Sequence, residues 1–172
     1  MPETTPEEAT PEARAAATKR DRVFLVVVDD SPERAIALRY ACLRARNGGG
    51  RVALLRVIEP EGLVEWAGVG AMMAEERREE AEKLLSALAA QVNEITGGLP
   101  ILLIREGNPR DELLALLEED PRISILVLAS AAESGGPGPL ISALTGRYAS
   151  RVRVPMTIVP GGLDDKELER VT

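Results

Sequence analysis

The sequence predicts a doubly wound α/β domain, a five-stranded parallel sheet with helices on both faces. Two observations carry this. Five short runs rich in branched aliphatic residues (23–28, 52–58, 99–104, 123–128 and 156–159) alternate with segments whose apolar residues recur at helical spacing. Aromatic residues make up only 2% of a chain that is 45% apolar, so the core is aliphatic, as in strands buried under helices on both sides.

The chain has 172 residues, enough for one domain with a substantial core. Residues 1–20 are rich in Pro, Glu, Thr and Ala and cannot bury enough surface to offset their ordering entropy, so they read as a disordered N-terminal tail. The domain itself is expected over 21–160. Its first strand, Val23 to Val28, stops at Asp29-Asp30-Ser31-Pro32, where Ser31 is placed to cap a helix and Pro32 suits the first helical position. Ile36, Tyr40 and Leu43 follow at helical spacing, and Asn47-Gly48-Gly49-Gly50 ends that helix before a second strand, Val52 to Ile58.

Between Glu59 and Met73 the pattern blurs around the only tryptophan and two adjacent methionines, which fit a flap over the sheet edge or a lead-in to the next helix, covering the core. In that next helix Ala81, Leu85, Leu88, Val92 and Ile95 form one apolar stripe, ended by Gly97-Gly98. Leu99 to Ile104 is the third strand. Gly107-Asn108-Pro109 opens a helix lined by Leu113, Leu114 and Leu117, and Asp120-Pro121 breaks it before the fourth strand, Ile123 to Leu128. Pro139 opens a fourth helix with Ile141, Leu144, Tyr148 and Val152 on one face and Gly146 in its interior, a cost of roughly 1 kcal/mol against alanine. Met156 to Val159 is the fifth strand, and 161–172 reads as a loose C-terminal tail or a short helix.

Composition narrows the chemistry. A formal net charge of −7 with no basic stripe argues against a nucleic-acid surface. With no histidine in the chain, Ser–His–Asp catalysis and His-based metal sites are excluded, and no catalytic residue or metal ligand is assigned. The single Cys42 lies among helix-patterned residues as a small hydrophobe. No apolar run approaches the roughly 18 residues of a membrane span, and the acidic start is unlike a signal sequence, so the cytoplasm is the expected compartment.

In doubly wound sheets ligands sit beyond the C-terminal strand ends, where strand order reverses. Two strand ends are therefore candidates, Asp29 to Ser31 after the first strand and Ala129 to Ala132 after the fourth. Asp29 and Ser31-Pro32 also make sense as turn and helix-cap chemistry alone. A phospho-receiver domain, suggested by Asp29-Asp30, needs an aspartate ending the third strand and a lysine ending the fifth. Those places hold Arg105-Glu106 and Val159-Pro160, so that reading is set aside.

Over roughly 22–160 the chain resembles the universal stress protein family, through VVVDDSPERAIALRYA, VALLRVIEP, IREGNPRDELLALLEE, the fourth strand and PMTIVP in matching order. The resemblance implies strand order 3-2-1-4-5 and a homodimer paired through the last strand. It makes Asp29 a nucleotide-contacting position and Val57 one whose backbone faces adenine. Nucleotide-binding members carry Gly-x2-Gly-x9-Gly-(Ser/Thr) after the fourth strand. At that spacing this chain has Ala129, Ala132 and Ser142 followed by Ala143, with Ser130 beside the first. All three glycines are replaced. Each added methyl fills space that phosphate oxygens would use, and Ala143 lacks the hydroxyl donor. A rival register uses Gly136 and Gly146, with Gly135, Gly136 and Gly138 as an alternative phosphate loop, but it puts Glu133 at the first glycine's place. The expectation is a stress-response binding module, not an enzyme, that lacks standard ATP binding and acts on an unidentified protein partner or another ligand. No cofactor is expected, though ATP or AMP remain possible; the alternative is an ATP- or AMP-binding member using the 135–138 loop.

Overall fold

The computed structural model describes residues 22–60, 67–132 and 135–172. The tail predicted over 1–20 and Trp66 lie outside them. Five strands, β1 (Val23–Val27), β2 (Arg51–Ile58), β3 (Ile101–Glu106), β4 (Ile123–Ser130) and β5 (Met156–Pro160), form one sheet of order β3-β2-β1-β4-β5. Every pairing is parallel. The predicted fold class and strand order are therefore observed.

Helices α1 (Arg34–Gly48), α2 (Ala67–Thr96), α3 (Pro109–Glu119), α4 (Pro139–Thr145) and α5 (Asp165–Val171) cover the sheet. Side chains alternate across a strand, and β1 divides the core accordingly. Phe24, Val26 and Val28 pack with Leu38, Leu85 and Leu168 of α1, α2 and α5. Val23 and Leu25 pack with Leu113 of α3 and Leu144 of α4 on the other face. The central strand β1 is apolar on both faces because each of its faces meets helices.

Several local expectations are corrected. Ser31 does not cap α1: the helix begins at Arg34, with Glu33 in the cap position and no side-chain capping bond. The Ser31 N–H and hydroxyl both donate to Asp29 Oδ1, at 3.0 and 2.6 Å, so Asp29 closes a turn that holds the serine away from the helix. Leu99 is outside β3 and 70% exposed. Gly146 ends α4 rather than lying inside it, its N–H bonded to the Ser142 carbonyl, and a 3-10 turn, Ala149–Arg151, follows. Tyr148 and Val152 still reach the same core cluster as Ile141 and Leu144. The segment from Ala67 enters α2 as a helical lead-in, but Met72 faces solvent at 67% exposure instead of covering the core.

Residues 161–172 contain α5, which opens with a capping box between Asp164 and Glu167. Leu168 is buried, and Arg39 of α1 pairs with Asp165 at 2.8 Å. The burial of one leucine and this clasp hold the short helix against the sheet's α1 side.

Candidate functional site

The C-terminal ends of β1 and β4, neighbours in the sheet with α1 and α4 leaving on opposite faces, form the switch point of strand order. The chain leaves β1 under strong local constraint. Val28 N–H donates to the Leu55 carbonyl at 2.7 Å. Arg56 Nη1 then donates to the Val28 carbonyl at 3.1 Å, and Arg34 Nη1 to the Asp29 carbonyl at 2.6 Å. Both guanidiniums thus take carbonyls that β1 no longer pairs. Arg56 also holds Asp30 Oδ2 at 3.0 Å.

Two cavities open here, and Val27 and Asp29 line both. The larger, about 440 Å³, lies over the ends of β1 and β2 beneath α2. Its size falls within the ~300–1,000 Å³ of small-molecule sites. Val57, half-buried, supplies an apolar wall. The smaller, about 170 Å³, lies between the end of β1 and the start of α4.

The predicted residues divide between these cavities and the surrounding frame. Asp29 and Val57 meet in the larger one; Asp29, Ser31, Ala129 and Gly138 meet in the smaller. Ser130, Ala132, Ser142 and Ala143 line neither. The fourth strand runs two residues beyond its predicted end, so Ala129 and Ser130 are ladder residues opposite Val159 and Pro160 rather than loop. Ala132 is exposed, and Ser142 faces solvent on α4.

Two residues flanking Gly138 at the start of α4 contribute no backbone donor. Pro137 and Pro139 have no N–H. The Ser142 N–H is bonded to the Gly138 carbonyl at 3.0 Å. The Gly146 amide of the rival register is likewise engaged, at the far end of α4. Gly136 and Gly138 have φ of 82° and 88°, in the left-handed region, with nothing within 4 Å of an added Cβ. Backbone conformation therefore requires glycine at both, while no packing atom approaches.

Sequence reasoning missed three contributors. Glu33 and Arg34 line the smaller cavity, one turn beyond the aspartate that drew attention. Gly161, read as the start of a loose segment, packs on the β4 loop: a Cβ there would collide with the Ser130 carbonyl and lie 3.0 Å from Ala132 N. The only signal was a Gly-Gly pair after the last strand, which also fits an ordinary turn.

The model of the universal stress protein family matches residues 22–160. A search of curated proteins returned no match. Among solved structures, the universal stress protein UspA from Lactobacillus plantarum is similar at a TM-score of 0.67 and 15% identity, covering 81% of this chain and 98% of that one. A universal stress protein in complex with cAMP superposes at 0.58 with 15% identity, over 82% of this chain and 98% of that one. A family protein from Arabidopsis thaliana with AMP bound does so at 0.55 with 14% identity, over 85% and 94%. These likenesses carry the fold, and the family match over most of the chain carries membership. The chain belongs to the universal stress protein family.

Proposed function

We propose that this chain is a stress-response binding module that keeps a ligand cavity at the switch point but does not hold ATP through the family's glycine cradle. One observation carries the reading: at the family's three glycine positions this chain has Ala129, Ala132 and Ser142, and the nearby Pro137 and Pro139 have no N–H. A phosphate cradle needs several backbone N–H groups converging with no side chain in the way. That structures similar in fold hold AMP and cAMP supports a ligand-binding role. Binding rather than catalysis is the proposed role, in the cytoplasm. Calorimetry with ATP and AMP tests it; saturable micromolar ATP binding by the wild-type protein would sink it.

The proposed assembly is a homodimer through β5. Leu126 N–H bonds to the Pro155 carbonyl, so by the alternation of a parallel ladder the Met156 and Ile158 backbone groups point away from β4. Ile158 is 38% exposed on this edge, which offers a template for a second strand. Replacing Ile158 with proline removes one outward donor and leaves the β4 ladder intact. The expected result by light scattering is a dimer for wild type and a monomer for the variant; equal masses argue for another interface.

One observation favours a second reading, in which the 135–138 loop binds ATP or AMP. Gly136 and Gly138 adopt left-handed φ in open space, a backbone able to present amides outward. That reading predicts that Gly136→Val abolishes nucleotide binding, and unchanged binding by the variant counts against it.

A further inference from the structure

The arginines of this chain are scattered along the sequence, but strand pairing collects several of them at the end of the sheet opposite the cavities. Arg51 opens β2 and donates its N–H to the carbonyl of Arg22, just ahead of β1, at 2.8 Å. Val23 pairs with Ile123, which sets Arg22 beside Arg122 at the start of β4. Arg153 lies just ahead of β5 at the same end. Neighbouring strands are about 4.8 Å apart, so the row from β2 to β5 spans about 15 Å. All of these residues are exposed. Helices α1, α2 and α3 end at this pole, where their negative dipole ends favour cations. Carboxylates do not balance the row. Asp120 takes Arg122 at 2.7 Å, while Glu118 and Glu119 are held by Arg151 and Arg105. On the closing turns of α1, α2 and α3, Glu94 is the one carboxylate left unpaired among the described residues. Arg51 reaches the Leu99 carbonyl at 3.5 Å, and Arg46 at the end of α1 reaches Asn47 Oδ1, both uncharged acceptors. Arg22 and Arg153 make no ion pair with any described residue.

We propose that this arginine row is an interaction surface whose occupant is the chain's own acidic segment, residues 1–12. That segment carries Glu3, Glu7, Glu8 and Glu12 and no lysine or arginine. It is delivered to the right place, because the described residues begin at Arg22, inside the row. The connection from Glu12 to Arg22 reaches up to about 33 Å when extended, well beyond the width of the row. Arg14, Lys19 and Arg20 in that connection continue the positive charge of the row. One exposed ion pair contributes little by itself. Tethering holds the acids over the row at an effective concentration of about millimolar, so several weak pairs act together. A net charge of −7 disfavours a nucleic acid as the occupant, since the whole molecule repels it, whereas a segment of the same chain needs no steering from solution.

The experiment uses the full chain, isotope-labelled for NMR, with a nitroxide attached through Thr5→Cys; Cys42 is buried and is spared by the label. Amides of Arg22, Arg51, Ile123 and Val154 are compared with those of Asp30 and Gly107 at the other end of the strands. At about 0.1 M salt the nitroxide is expected to broaden the first set at least about twofold more than the second. The contrast should shrink when Glu3, Glu7, Glu8 and Glu12 are all replaced by Gln, and in the double variant Arg22→Gln, Arg153→Gln. It should also shrink at about 1 M salt, where the screening length is about 3 Å. Arg22 and Arg153 are exposed and unpaired among the described residues, so their replacement retains the fold, checked by thermal unfolding. Tethering without docking would broaden this end alike in every variant and at both salts, and that result overturns the proposal. Equal broadening at both ends overturns it too. Spin-labelled and isotope-labelled copies are also mixed, and broadening of the row between copies alone would make a second copy the source and overturn docking within one chain. A single-stranded oligonucleotide is expected to leave the same amides unshifted; shifts at Arg22 and Arg51 would make the row a nucleic-acid face and overturn the proposal.

Discussion

Replacing Gly161 with alanine tests whether the segment after β5 is built into the site. Gly161 does not have a left-handed φ, so alanine meets no intrinsic backbone penalty there. The cost is steric. The new methyl is directed into the Ser130 carbonyl and stands 3.0 Å from both Ala132 N and Glu33 Cγ. Two of those neighbours are backbone, one of them on the β4 strand opposite Pro160, and neither can rotate away. Overpacking of this kind costs about 1–3 kcal/mol. At about 2–4 °C per kcal/mol for a chain of this size, Tm should fall by roughly 2–12 °C. The adjacent Gly162 is the internal control. It is exposed, has no left-handed φ, and has nothing within 4 Å of an added Cβ. Gly162→Ala should be neutral or stabilising by about 0.4–1 kcal/mol, through a less flexible unfolded chain. Urea titrations of both variants, with unchanged slopes, read the difference. If the two variants lose equal stability, or if Gly161→Ala is silent, the packing of this crossing on the β4 loop is refuted.

Further predictions concern the frame. Asn108 Oδ1 accepts from the Arg110 and Asp111 amides at the start of α3, so Asn108→Ala should cost about 1 kcal/mol in denaturant titration; an unchanged midpoint would deny the cap its role. Burial pushes the Cys42 thiol up to about 11, with Arg39 lowering it in part. Thiol-reactive dye should therefore leave the native protein unlabelled at pH 8 and react on unfolding, and rapid native labelling would contradict its burial. The Arg122 hydrogen bond holds the Asp120 carboxyl below the usual carboxylate range, and Arg105 does the same for Glu119. A depressed folded-state value stabilises the fold above the unfolded value near pH 4, and this is lost as pH falls through the folded value. Asp120→Asn should flatten the loss of Tm below about pH 4, and identical acid profiles would show that the pair contributes nothing.

How much of this was legible in the sequence differs element by element. The apolar stripe from Ala81 to Val92 was plain because a helix against a sheet must bury one face every 3.6 residues, and all four stripe positions through Val92 are buried. Asn108-Pro109 was plain because a cap is chemistry between near neighbours. Ser31 misled because serine before proline has the same local signature whether it caps a helix or accepts a turn, and the choice was made by Asp29 two residues away. Leu99 misled because an aliphatic residue before proline looks like strand, while the β2 ladder starts only at Ile101. At the site, Asp29 is named by its place at a strand end and Val57 only by the family resemblance, and both line the larger cavity. Glu33 and Gly161 are named by neither, because their meeting joins segments more than a hundred residues apart.

By itself, the sequence determined the alternation of strands and helices and the aliphatic two-faced sheet, since each depends on periodicity or on residue identity along a short stretch. The tertiary structure alone decided that Glu33 lines the smaller cavity, that Arg34 and Arg56 are engaged with carbonyls freed at the end of β1, and that α5 closes on α1 through Leu168 and Arg39. Those are matters of proximity between distant segments. Proximity is set by which strands pair and in what register, and no local pattern of residues encodes it.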